Sequence, residues 1–259
     1  MACKKIAKTR LGPTGLEVSA MGFGTIPFGG KSWKKGASVD SEEGGRVLAR
    51  AFELGINYWD TAEGYDTHRH IREGLTHVSR SDVVISTKST RKTYEGAGTR
   101  IKKSLGELDT SYIDIYFLHA VDSVSDLERR CSGALRRMRR ARDNGLIRHI
   151  GLSTHRPEVV EAASDVEDIE VILAPVNKTG HLPSACRLED MISAIRKAYG
   201  AGKGIALMKI FAYGDLGLEE GLEFSLGIPS HTTLIGMRTS EELEEDAETF
   251  NRVWNRSRG

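Results

Sequence analysis

Cysteine is scarce in this chain: Cys3, Cys131 and Cys186 are the 3 in 259 residues. They are far apart, odd in number and form no CxxC or Cys/His cluster. Neither a disulfide framework nor a zinc site is supported, and no resident metal is expected. Long apolar runs are missing too. None approaches the roughly 20 residues that span a bilayer. The basic start, Met1 to Lys5, is not followed by the apolar core of a secretory signal. An excess of one charge is also lacking. The 37 Lys and Arg against 36 Asp and Glu leave a formal net charge of +1, which gives no electrostatic case for nucleic acid or an anionic membrane. No Pro/Ser-rich linker or charge block divides the sequence, so residues 1–259 are read as one domain. With 39% hydrophobic and 28% charged residues, the composition is that of a soluble globular protein, and the cytoplasm is the expected location.

What is present is an alternation. Short β-branched or apolar runs at 20–25, 56–61, 83–88, 112–118, 147–153, 169–175, 204–210 and 232–236 read as strands. Between them, helical periodicity lies near 41–54, 68–78, 96–108, 124–144, 156–164, 187–201, 217–225 and 239–253. Eight βα units fit an α/β fold of the closed (β/α)8 TIM-barrel type, which runs to roughly 250 residues. An open doubly wound sheet would need a Gly-rich dinucleotide fingerprint leading into a helix. Gly22-Phe23-Gly24 is followed by Pro27, and no helix opens there. Thr9 to Val18 reads as a β-hairpin around a Gly/Pro turn, placed to plug the N-terminal mouth. Seven arginines crowd 126–144, but Leu127, Ala134, Leu135, Met138 and Ala141 form an apolar stripe at helical spacing. The arginines are therefore assigned to a solvated face. His68 and His70 make an HxH pair with no third ligand nearby, and they read as solvated loop histidines.

Three strands end in polar residues, as buried parallel strands do where they emerge at an active face. Asn57-Tyr58-Trp59-Asp60 leads on to Tyr65, Val83 to Thr87 leads to Lys88, and Ile113 to Leu118 leads to His119. Brought together, these four residues make a tuned proton donor. The phenol is the acid, the ammonium lowers its pKa, the carboxylate holds the ammonium and the imidazole orients a carbonyl.

These pieces, with others in the same order, resemble the aldo-keto reductases from end to end. The others are Arg10-Leu11-Gly12, Met21-Gly22-Phe23-Gly24-Thr25, Gly151-Leu152-Ser153 and Ile235-Gly236-Met237-Arg238 with Glu241-Glu242. The resemblance implies a (β/α)8 barrel that binds an extended nicotinamide cofactor and reduces aldehyde or ketone carbonyls of small molecules. Asp60, Tyr65, Lys88 and His119 become the catalytic set. Gly24, Thr25, Ser153, Thr154, Met208, Lys209, Gly236, Arg238 and Glu242 become the cofactor-binding set. Three positions depart from the family pattern: Thr154 replaces a usual Asn, Leu173 a usual Gln, and Met208 the aromatic that stacks on the nicotinamide. The resemblance places Arg238 against the 2′-phosphate of NADPH, while Glu242 and Asp246 favour the ribose hydroxyl of NADH. NADPH is the expected cofactor, with NADH the alternative.

The connections after His119 and Lys209 are brief and the sequence stops at Gly259, so an open, shallow pocket is expected. No cysteine-rich extension like that of some relatives follows, so no iron–sulfur cluster is expected. The chain is expected to be a monomer or weak oligomer. Two other functions fit the same residues: a nucleotide-sensing regulatory subunit, and a weakly active cofactor-binding barrel.

Overall fold

An antiparallel pair, β1 (Lys8–Arg10) and β2 (Glu17–Ser19), opens the fold. Eight strands follow: β3 (Met21–Gly24), β4 (Tyr58–Asp60), β5 (Val84–Ser89), β6 (Ile113–Val121), β7 (Ile147–Thr154), β8 (Val171–Pro175), β9 (Gly204–Met208) and β10 (Thr232–Gly236). All pair in parallel and close in the order β10-β3-β4-β5-β6-β7-β8-β9. The closed barrel replaces the open-sheet alternative. The structure is a computed structural model and describes residues 4–30, 38–182 and 186–258; Cys3 lies outside them.

Helices return the chain between strands: α1 (Ser41–Glu53), α2 (His68–Gly74), α3 (Tyr94–Leu108), α4 (Val124–Arg130), α5 (Arg136–Asp143), α6 (Pro157–Ser164), α7 (Leu188–Gly200), α8 (Leu218–Leu226) and α9 (Ser240–Arg256). Some of their starts are set by side chains that satisfy orphan backbone N–H groups. Asp40 accepts from Glu42 N, Thr93 from Gly96 N and Thr239 from Glu242 N. Among the described residues no helix is long and apolar enough to cross a membrane.

Two apolar layers result. The outer one lies between strands and helices. The inner one fills the barrel with Tyr58, Ile115, Phe117, Val171, Leu173 and Ala206, all fully buried. Leu11 and Val18 of the hairpin join that inner cluster, so the hairpin stops the N-terminal mouth as expected. Gly12 permits it: the residue has φ +50, and a Cβ there would stand 2.3 Å from Gly204 N.

Several sequence readings need correction. The strand read over 204–210 ends at Met208, because Lys209 turns into the left-handed region at φ 62 and leaves the ladder. The helix read over 124–144 is interrupted by a π turn, Cys131–Leu135. The histidines of the HxH pair are not solvated. His68 and His70 sit on α2, 5% and 0% exposed. His68 is bonded to Glu107 at 2.6 Å and Thr87 at 2.8 Å, and His70 to Val39 O at 2.9 Å.

Candidate active site

Parallel closure brings the C-terminal ends of the strands to one rim. Gly24 is in register with both Asp60 and Gly236. Asp60 pairs with Ser86, Lys88 with Phe117, and Ser153 with Leu173. The polar residues that end β4 to β7 therefore converge, although 28 residues separate Asp60 from Lys88.

The Lys88 ammonium donates to Asp60 Oδ2 at 2.6 Å and to the Thr61 carbonyl at 2.7 Å. The side chains are 1% and 6% exposed. Ser86 Oγ donates to the other carboxylate oxygen at 2.5 Å. The ammonium lies 5.2 Å from the centre of the Tyr65 ring. The His119 ring meets Tyr65 edge-on, with centroids 6.0 Å apart and planes at 82°. The four residues named from the sequence thus form one cluster.

Burial sets the protonation states. It pushes the Tyr65 phenol above its ordinary value; Lys88 opposes this and Asp60 adds to it. The sequence reading had the right sign for the lysine, but burial outweighs it. His119 is held down to about 3, first by burial and then by the charge of Lys88, so its imidazole is neutral near pH 7. His155 is likewise held at about 4 by burial and by Lys209.

The loop that carries Tyr65 is tied down on several sides. Thr67 Oγ1 bridges Thr25 Oγ1 at 2.8 Å and Thr61 Oγ1 at 2.7 Å. The Glu63 N–H donates to Lys88 O at 3.0 Å, and its carboxylate meets Arg100 at 3.1 Å. On the far side Gly29 touches the loop so closely that a Cβ would stand 2.1 Å from Tyr65 O. Sequence reasoning missed Gly29 and Thr67. The Gly29-Gly30 pair was the available signal for the first, and nothing marked the second.

A pocket of about 210 Å³ opens at this rim. Asp60, Tyr65, Gly24, Gly236, Met208 and Lys209 line it, with Leu173 and Leu234 among its apolar walls. Tyr213, also missed, stands there at φ 61 with its ring 5.3 Å from the Lys209 ammonium. Lys209 has its pKa lowered by burial and then by Lys88.

Other named residues are engaged elsewhere. Thr25 Oγ1 donates to Asp60 O at 3.0 Å. Thr154 Oγ1 donates to Val121 O at 2.6 Å and accepts from Arg156 N at 3.1 Å. Glu242 accepts from Arg238 N at 2.8 Å and so caps the start of α9. Ser153 Oγ accepts from Ala120 N at 3.1 Å, beside His119. No cluster of metal-ligating side chains occurs among the described residues.

The sequence model of the aldo/keto reductase family matches residues 20–210. The chain belongs to that family. An uncharacterized oxidoreductase of Bacillus subtilis, YqkF, is 29% identical over 168 residues, which are 60% of this chain and 51% of that protein. The chain spans about half the length of the curated relatives it matches. A putative aldo-keto reductase from Pseudomonas aeruginosa superposes with a TM-score of 0.78 at 23% identity, covering 97% of each chain. A Bombyx mori aldo-keto reductase in complex with NADP superposes with a TM-score of 0.69 at 18% identity, covering 95% of this chain and 88% of that one. These likenesses extend the barrel from end to end of this aldo/keto reductase chain.

Proposed function

We propose that this aldo/keto reductase is an NADPH-dependent oxidoreductase that reduces aldehyde or ketone carbonyls of small molecules, with Tyr65 as general acid. The observation that carries the reading is the buried Lys88–Asp60 pair at 2.6 Å, with its ammonium 5.2 Å from the Tyr65 ring, at the wall of a pocket. A buried charge pair is costly to build into a fold. Its placement beside a phenol at a pocket gives that cost a chemical purpose.

The pocket suits a dinucleotide cofactor. Leu173, Met208 and Leu234 offer an apolar wall to a flat ring, and glycines at 24 and 236 leave the strand ends bare of side chains. Met208 packs softly against an aromatic face. Leu173 supplies no amide, so ring placement rests on packing and on Ser153. Lys209 and Arg238 are the basic groups for the phosphates. An Arg fork at the start of α9 fits the 2′-phosphate of NADPH, because the helix N-terminus adds a favourable field. Glu242 is tied to Arg238 N, so its capping role competes with any bond to the ribose of NADH.

When bound, the cofactor supplies the hydride to the carbonyl carbon. The chain's residues manage the oxygen. Neutral His119 donates a hydrogen bond to the carbonyl oxygen. Tyr65, kept protonated by burial, gives its proton to the developing alkoxide. Lys88 stabilises the tyrosinate that remains, and Asp60 with Ser86 holds Lys88 in place.

The test is a panel of aldehydes and ketones, followed by loss of NADPH absorbance. Cofactor-dependent turnover supports the reading. Tight NADPH binding without turnover of any carbonyl would move the protein to the regulatory-subunit or weakly active alternatives.

A further inference from the structure

Arg130 was assigned from the sequence to a solvated helix face, and it is 2% exposed. Its guanidinium reaches back from the end of α4 to the end of β6. Nη1 donates to the His119 carbonyl at 2.8 Å, and Nη2 to the Ala120 carbonyl at 3.5 Å. Nε donates to Asp126 Oδ2 at 3.0 Å. Asp126, fully buried, also meets Lys92 Nζ at 2.8 Å; burial, the largest single influence, pushes its pKa up, but the hydrogen bonds and charges of Lys92 and Arg130 together outweigh it and hold the carboxyl down to about 2.

We propose that Arg130 is a positioning residue for His119, which it orients by gripping the backbone of residues 119 and 120. This rests on the reading of His119 as the carbonyl-orienting group. The imidazole forms no hydrogen bond within the described residues, and its ring contact is the edge-on one with Tyr65. With no hydrogen bond to fix the ring, its direction depends on the backbone that carries it and on packing against Tyr65. That backbone is unusual. The β6–β7 register shifts between Leu118 and Val121, and Ala120 sits at φ 49, where an L-residue persists only under outside constraint. Three hydrogen bonds supply the constraint: the two from the Arg130 fork to the carbonyls of 119 and 120, and the one from the Ala120 N–H to Ser153 Oγ. A planar guanidinium holds two carbonyls and one carboxylate in a fixed fork, whereas a lysine offers its donors from one point on a flexible stem.

The π turn Cys131–Leu135 completes the arrangement. It follows Arg130 directly, and Ala134 N donates to Lys92 O at 3.0 Å. The segment that carries Lys92 is thereby docked where its ammonium meets Asp126. π turns that interrupt helices occur frequently at functional sites.

The test is a cycle of four proteins: parent, Arg130→Lys, His119→Ala and the double variant. Arg130→Lys keeps the charge and loses the fork. It should lower kcat by about tenfold or more, with KM and the fluorescence-measured Kd for NADPH within about twofold. In the His119→Ala background the same substitution should change kcat by less than about twofold, since the two act as one unit. Equal losses in both backgrounds, or an Arg130→Lys protein at the parental rate, would overturn the proposal. Asp126→Asn, which loosens the same guanidinium, runs in the same cycle should Arg130→Lys fail to fold. A ¹H–¹⁵N imidazole spectrum reads the grip without turnover. The His119 signals should shift or broaden in Arg130→Lys, and unchanged signals would also overturn it. A His119→Ala protein at the parental rate would refute the functional reading of His119 instead.

Discussion

Replacing Lys88 by Met removes one partner of a deeply buried ion pair at the site. Asp60 then keeps Ser86 Oγ at 2.5 Å but loses the ammonium at 2.6 Å, with its side chain 6% exposed. Breaking a buried pair from one side costs about 3–5 kcal/mol. For a chain of this size 1 kcal/mol moves Tm by about 2–4 °C, so Tm should fall by about 6–20 °C. The Thr61 carbonyl, which accepts from Lys88 at 2.7 Å, is orphaned as well. Turnover should fall by about 10²-fold or more, because Lys88 is the group that pulls the Tyr65 pKa down against burial. A second substitution, Asp60→Asn on top of Lys88→Met, should recover part of the Tm and none of the turnover. Calorimetry and an NADPH absorbance assay on the three proteins measure both effects. A Lys88→Met protein that melts within about 2 °C of the parent and turns over at its rate would refute the reasoning.

Gly29→Ala would drive a Cβ to 2.1 Å from Tyr65 O, so the acid's loop must move; kcat should fall by about tenfold or more, with Tm as the control for folding. Arg238→Ala should lower kcat/KM for NADPH by about tenfold or more and leave that for NADH nearly unchanged, since one charged hydrogen bond contributes about 1.5–3 kcal/mol. Stability should fall as pH drops below about 6.5. His119 and His155, held at about 3 and about 4 in the fold, take up protons on unfolding across that window, so the unfolded state binds more protons and is favoured by acid. Asp126, held at about 2, adds a further loss below its ordinary value of 3.8. A Tm series from pH 7.5 to 5 checks the sign, and a His119→Asn, His155→Gln double variant should flatten it.

The barrel was legible because its strands are short apolar or β-branched runs separated by segments of helical periodicity. The catalytic cluster was legible for a related reason. Asp60, Lys88 and His119 are polar residues that end apolar strands, and Tyr65 follows at a fixed interval. Arg130 was not. Arg130 lies three residues after Leu127 and four before Ala134, at the edge of the apolar stripe, but the sequence does not show the His119 and Ala120 carbonyls that accept from its guanidinium there. Nor was the burial of His68 and His70. Their spacing says nothing of the segment before α1, of α3 or of β5, which supply Val39 O, Glu107 and Thr87 as partners. The net direction of the Tyr65 shift also lay beyond the sequence. Charges can be listed from a sequence, whereas the desolvation that outweighs them depends on packing.

Tyr65→Phe tests the central claim most directly. The substitution removes one hydroxyl and keeps the ring that faces Lys88 and His119. Turnover of a good aldehyde should fall by about 10²–10⁴-fold, with the fluorescence-measured Kd for NADPH nearly unchanged. Activity within about threefold of the parent would contradict the assignment of Tyr65 as the general acid.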